Sequence, residues 1–310
     1  MNRENWSSRS LGSRFKHEFF YRLIRHVGPW AAYPLLYVVV FYYSLLPGVR
    51  RRSRPYLKRR FPQSGFFASW RQSFRLNLSF GLVLLERAIM GLTGRMTFQD
   101  PANGEQTVRE LLAEGRGLII LSAHVGAWQT GLGWLGQTEV PVNIVQLRQE
   151  QDHDRHYFEH DQESQTPKII DAKEPAVALA AMTAALLAGE IVCVMGDRVR
   201  LEDSLTISVP FLGDDILLPG APFYLAAKVK APVAVVFTRR LNPSLVTGEI
   251  YRVIRPAENI SASKNPETLS HLAGQFAASL EDYVNANPYQ FFNFYDLWIE
   301  KKDVHHATES

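Results

Sequence analysis

Beyond residue 107 the chain alternates between short apolar, β-branched runs and segments whose apolar residues recur at helical spacing. Runs of the first kind at 117–122, 141–147, 168–171, 190–195, 232–238 and 249–255 predict strands. Patterns of the second kind predict helices at 106–114, 128–136, 175–188, 221–229 and 266–285. Strand and helix taking turns in this way imply an α/β fold, with a mostly parallel central sheet flanked by helices, because parallel strands need crossover helices that then cover both faces. Ligands and catalytic groups of such sheets gather beyond the carboxyl ends of strands. His124, after RGLIILSA, and Asp197, after EIVCVMG, both occupy such positions.

The pattern before residue 107 is different. Positions 27–47, VGPWAAYPLLYVVVFYYSLLP, run for 21 residues without a charge. That length predicts an N-terminal hydrophobic membrane anchor helix, embedded in or lying at the interface, since about 20 apolar residues cross a bilayer core. Pro29 and Pro34 interrupt the expectation of a straight span. Residues 64–95 read as further helices with a broad apolar surface, and DPANGEQT at 100–107 reads as a turn. The expected organisation is a basic segment with an anchor over 1–62, a helical membrane-proximal region over 63–100, the α/β domain over 101–300 and a polar tail over 301–310.

Charge sharpens this division. Residues 1–62 hold 13 Lys or Arg against two acids, whereas the whole chain has a formal net charge of only +3. Beside an uncharged helix, such a basic segment points to an anionic membrane surface and away from nucleic acid. The single cysteine, Cys193, excludes a disulfide framework and a multi-thiolate metal site, and its apolar surroundings predict an inert buried thiol. His153, His156 and His160 lie in the charge-rich QEQDHDRHYFEHDQE, which reads as a solvated helix or loop, so no metal site is expected.

The stretch HVGAWQ at 124–129 carries the strongest chemical signal. A side-chain amide at Gln129, five residues after His124, can hold one imidazole nitrogen and leave the other for substrate. An amide, unlike a carboxylate, cannot stabilise an imidazolium by charge.

HVGAWQ resembles the His-x4-acid block of membrane-bound glycerolipid-type acyltransferases, and specifically the late acyltransferases of lipid A biosynthesis. The resemblance continues through GDRV at 196–199, VPFLGDD at 209–215 and LPGAPFYLAAKVKAPV at 218–233. It assigns the catalytic histidine to His124, a tryptophan of the block to Trp128, and the position of the acid to Gln129. The terminal block NPYQFFNFYDLW at 287–298 has the family's Pro and aromatic character but not its basic, tryptophan-rich ending.

The resemblance implies transfer of a fatty acyl group from an acyl-carrier-protein or coenzyme A thioester, as co-substrate, to a hydroxyl of a glycolipid or related envelope precursor. It places the protein at a bacterial inner membrane, with its catalytic domain on the cytoplasmic side, among membrane lipids. His124 is then the general base, and Gly126 belongs to a turn whose N–H groups serve a developing oxyanion. Arg148, Asp197, Arg198 and Gly213 are expected to bind substrate, Arg198 through its fork of donors. Phe211, Trp128, Pro219 and Gly220 are expected to shape the acyl pocket or to serve a structural role. A surface salt bridge remains the simpler reading of the Asp197-Arg198 pair. A catalytically silent membrane-associated scaffold on the same fold remains the alternative for the whole chain, and a transferase for nucleotide sugars lacks its phosphate-loop signature.

Overall fold

A computed structural model describes residues 14–94, 97–100, 103–130, 138, 140–147, 167–200, 205–257 and 265–298. Four helices come first: α1 (Arg14–His26), α2 (Pro29–Leu45), α3 (Pro47–Arg60) and α4 (Phe66–Thr93). The remainder runs β1 (Thr97–Gln99), α5 (Gly104–Ala113), β2 (Leu118–Ser122), β3 (Val142–Gln146), β4 (Lys168–Asp171), α6 (Pro175–Leu187), β5 (Ile191–Met195), β6 (Thr206–Phe211), β7 (Asp214–Pro219), α7 (Ala221–Val229), β8 (Val233–Asn242), β9 (Leu245–Ile254) and α8 (Pro266–Ala286).

Seven strands form one mixed, mostly parallel sheet in the order β1-β9-β8-β2-β5-β3-β4. The exception is the antiparallel β8–β9 pair; all other neighbours in the sheet are parallel. Alternation along the central strands divides the core in two. Ile119, Leu121, Val192, Val233, Val235 and Phe237 face a large layer built with α6, α7 and α8. Leu118, Ile120, Ile191, Cys193, Ala234 and Val236 face a smaller one closed by Val108 and Leu111 of α5. Asp100 starts α5 by accepting from the backbone N–H groups of Gly104 and Glu105, at 2.9 and 3.0 Å.

The six strands expected from the pattern are all present, with β8 and β9 longer than anticipated. The pattern missed β1 and the separate antiparallel hairpin of β6 and β7. Its two-residue loop puts both Leu212 and Gly213 at positive φ, 51° and 87°, as a hairpin turn matched to strand twist requires. Of the helix expected at 128–136, residues 128–130 form a turn and 131–136 lie outside the described residues.

The N-terminal apolar run is bent, as its prolines suggested. The uncharged run is not one spanning helix: α2 ends at Leu45, and α3 leaves at 86° to it. Pro47 is the physical cause, since it offers no N–H to the preceding turn and holds Leu46 extended, at φ −75° and ψ 125°. Among the described residues, the single helix with the length and apolar composition to cross a membrane is α4, in mid-chain; α2 and α3 meet that test only as a bent pair.

One face of α2 (Ala32, Leu36, Val40) packs on Leu82, Leu85 and Ile89 of α4. Gly81 lets them close, because a Cβ there would lie 3.1 Å from Leu36 Cδ1. The other side of α4 belongs to the body. Leu76 and Val83 sit in the main core beside Tyr56 and Leu57 of α3. Farther along, Arg240 of β8 donates from Nε and Nη2 to the two carboxylate oxygens of Glu86, at 2.7 and 2.6 Å, and Tyr33 donates to the same carboxylate.

The Glu86 and Arg240 side chains are 4% and 16% exposed, so neither charge is well solvated without the other. Arg240→Leu should therefore cost about 3–5 kcal/mol of stability by stranding a buried carboxylate. The double variant Glu86→Leu/Arg240→Leu should recover much of that loss. Denaturant unfolding of the detergent-purified chain measures both; a single variant as stable as the parent would show that the pair does not fasten α4.

Candidate active site

Strands β2 and β5 are adjacent, with Ser122 opposite Met195. The main chains stay paired one step further, Gly196 N–H donating to Ser122 O at 2.8 Å. Two residues past each strand, His124 and Asp197 face each other. His124 Nδ1 lies 2.9 Å from Asp197 Oδ1, and the backbone N–H of His124 donates to Oδ2 at 3.0 Å. The imidazole is 17% exposed and the carboxylate 1%.

The electrostatics assign the proton. Burial alone would raise the Asp197 carboxyl, but His124, Arg198 and a hydrogen bond from Asn293 outweigh it and hold it well below the usual carboxylate range. An ionised carboxylate only accepts, so Nδ1 carries the ring hydrogen and Nε2 is left as the basic nitrogen. Burial, the largest influence on His124, lowers its pKa below the ordinary 6.5; Asp197 opposes this and Arg198 adds to it. The ring is neutral at neutral pH.

This differs from the partnership expected in the sequence. The group on the imidazole is Asp197, 73 residues away along the chain, and not Gln129. Gln129 Oε1 is buried and has no hydrogen-bond partner among the described residues. Trp128 does lie beside the histidine, with ring centroids 5.6 Å apart. It is stacked at 5° on Phe80 of α4 and also meets Phe292, so an aromatic wall from three chain segments borders His124.

Gly126 has φ +53°, and a Cβ there would fall 1.7 Å from Thr238 O on β8. Its N–H donates to Gln290 O at 2.9 Å. The glycine thus serves close approach of two protein backbones, and its N–H is engaged within the protein, which removes it from the expected oxyanion donors. Arg198 also turns inward, donating from Nε to Asn293 Oδ1 at 2.7 Å and from Nη2 to Phe292 O at 3.0 Å. These bonds correct the simpler reading of a surface salt bridge, and they spend on the protein donors that had been expected to meet a substrate anion.

The remaining expected residues fall elsewhere or are not described. Gly213 occupies the β6–β7 turn. Phe211 is fully buried between Phe291 and Trp298. Pro219 ends β7, and Gly220 starts α7, where a Cβ would lie 2.4 Å from Leu205 Cγ. Arg148, like His153, His156 and His160, lies outside the described residues. Among the described residues, no group of three or more His, Cys, Asp or Glu is arranged to hold a metal. Burial pushes the Cys193 thiol up to about 12, which leaves no thiolate near neutral pH.

Sequence reasoning missed Asn293. Its Nδ2 donates to Asp197 Oδ2 at 2.7 Å while its Oδ1 accepts from Arg198. The only prior signal was an isolated polar residue in the aromatic run QFFNFY.

A dry pairing of histidine with carboxylate at adjoining strand ends defines a site suited to proton abstraction. Residues 72–300 match the model of the bacterial lipid A biosynthesis acyltransferase family, and the chain belongs to that family. No individual curated protein is similar enough to be matched with it. Family membership and the membrane-length helix α4 together support a membrane-associated protein with an acyltransferase fold.

Proposed function

We propose that the protein is a membrane-bound O-acyltransferase in which His124 acts as general base and Asp197 holds and charges it. The observation that carries this reading is the 2.9 Å contact between His124 Nδ1 and the buried Asp197 carboxylate. His124 Nε2 takes the proton of an acceptor hydroxyl as the oxygen attacks a thioester carbonyl. The tetrahedral intermediate collapses with loss of thiolate, which takes the proton back from the imidazolium as it leaves as thiol. Asp197 stabilises the imidazolium between these events. No acyl-enzyme is needed, in keeping with a buried, protonated Cys193. In this reading the donor is an acyl-carrier-protein or coenzyme A thioester and the acceptor a hydroxyl of a glycolipid or related envelope precursor, which membership of the lipid A biosynthesis acyltransferase family supports.

The N-terminal helices support delivery from a lipid leaflet. Away from its contact with α4, α2 exposes Trp30, Tyr37, Val38, Tyr42 and Leu45, with Trp30 72% exposed. Arg51, Arg52, Arg54 and Lys58 are exposed on the adjoining α3, set to meet anionic headgroups. Because α4 is fastened to the body through Leu76, Val83 and Glu86, α2 is the helix that enters one leaflet, on the cytoplasmic side of the inner membrane.

Three experiments test this. Comparison of glycolipids by mass spectrometry, in cells with the wild-type protein and cells with variants, should show an acylated species that His124→Ala abolishes. Once that acceptor is in hand, Asp197→Asn should lower single-turnover transfer on the order of 10²–10⁴-fold. Gln129→Ala should cost no more than about tenfold, the size of one neutral hydrogen bond, because the amide oxygen has no hydrogen bond to His124. The wild-type rate should fall with decreasing pH through a His124 pKa below 6.5, since only the neutral ring is a base. A Gln129→Ala loss larger than that of Asp197→Asn would restore the amide as partner. For the membrane, Val38→Glu/Tyr42→Glu should weaken binding to anionic vesicles at constant fold, and unchanged binding would remove α2 from the docking surface.

A further inference from the structure

The C-terminal segment 287–298 lies across the catalytic turn. Phe292 N–H donates to His124 O at 2.9 Å, Gly126 N–H to Gln290 O at 2.9 Å, and Phe291 forms an antiparallel bridge with Val125. The fit is further secured by Tyr56, which donates to Pro288 O at 2.9 Å, and by Trp298, whose Nε1–H reaches Phe211 O at 3.0 Å. Within this strap Asn293 is 1% exposed, and both ends of its amide are used.

We infer that Asn293 is a positioning residue for acyl transfer: it fixes the orientation of the Asp197 carboxylate and so sets the tautomer and basicity of His124. The inference rests on the acyltransferase reading only for its consequence for the rate. Arg198 Nε can only donate, so it requires the Asn293 oxygen on its side and forces the Nδ2–H group toward Asp197. Asp197 Oδ2 then accepts from Asn293 and from the His124 backbone. Rotation of the carboxylate would break both bonds, and Oδ1 stays on Nδ1. Among the described residues, the charged groups acting on the ring are Asp197 and Arg198, both after β5. From the strap, Tyr295 faces Asp197 and Arg198; burial raises its pKa, so it contributes a neutral phenol. Helix α4 contributes the uncharged Phe80 to the same aromatic wall.

Two near-isosteric variants separate positioning from support. Asn293→Leu removes donor and acceptor. Asn293→Asp keeps the acceptor for Arg198 but sets a second carboxylate against Asp197, and added negative charge raises a histidine pKa. Nitrogen-15 NMR of histidine-labelled full-length protein in detergent, with His124 assigned by its loss in His124→Gln, reads tautomer and titration without any substrate. Wild type should show the Nδ1–H tautomer and a pKa below 6.5. Asn293→Asp should raise that pKa by about one unit or more, a size common for a nearby like or opposite charge. Asn293→Leu should give a mixed tautomer and, where transfer is assayed, a kcat lowered by about tenfold or more at nearly unchanged KM.

A folded Asn293→Asp protein with wild-type tautomer and pKa overturns the inference, and it does so even if Asn293→Leu is inactive or unfolded. Wild-type protein that shows the expected NMR response but transfers no acyl group leaves the positioning role supported and sinks the proposed function instead.

Discussion

The pairing of β2 with β5 in parallel register brings His124 and Asp197 together, and the other features of the site depend on it. Ser122 opposite Met195 means that two further residues on each strand arrive at the same level. A shift of one residue would take the carboxylate off the ring and turn alternate side chains to the wrong core layer. The register is held from both faces. Ile119, Leu121 and Val192 serve one layer, and Leu118, Ile120, Ile191 and Cys193 the other, so slipping exchanges residues between two packed cores. The chemistry thereby inherits its precision from ordinary apolar packing, and each loop beyond the strands need travel only two residues.

What the sheet brings together, the ends of the chain enclose. The terminal strap ties itself to the turn at 124–126 through main-chain bonds and supplies Asn293 to Asp197. From the other terminus, α4 lays Phe80 on Trp128 and fastens itself with Glu86 to Arg240. Arg240 also accepts the strap: its backbone N–H donates to Gln290 Oε1, and Gln290 Nε2 donates to Arg240 O. Helices α2 and α4, strand β8 and the strap thus share one set of polar contacts through Tyr33, Glu86, Arg240 and Gln290. Burial of this kind is costly for an isolated charge but strengthens each satisfied bond. It also keeps the imidazole neutral and ready to accept a proton.

The α/β alternation was legible because its signals are local: β-branched runs, helical spacing and turn residues. The positions of His124 and Asp197 at strand ends were legible for the same reason. Their partnership was not, because β3 and β4 intervene in sequence and strand order is a tertiary property. Gln129 stood out because it is five residues from His124, yet proximity along a turn says little about the direction of a side chain. The β6–β7 hairpin was hidden by its loop, where Leu212 occupies a positive φ that glycine or asparagine would have advertised. At the N-terminus, composition marked 27–47 as apolar, but Pro47 determined where the helix stops. Asn293 stood out only as a lone polar residue among aromatics, since its role exists only once the strap has closed on the sheet.

The central claim is that His124 and Asp197 act as one unit. Single-turnover acyl transfer by His124→Ala, Asp197→Ala and the double variant measures that coupling directly. Residues of one catalytic unit lose their contributions together. The double variant should be no slower than His124→Ala alone, within about threefold. Losses that multiply, so that removing Asp197 costs as much without the histidine as with it, would contradict it.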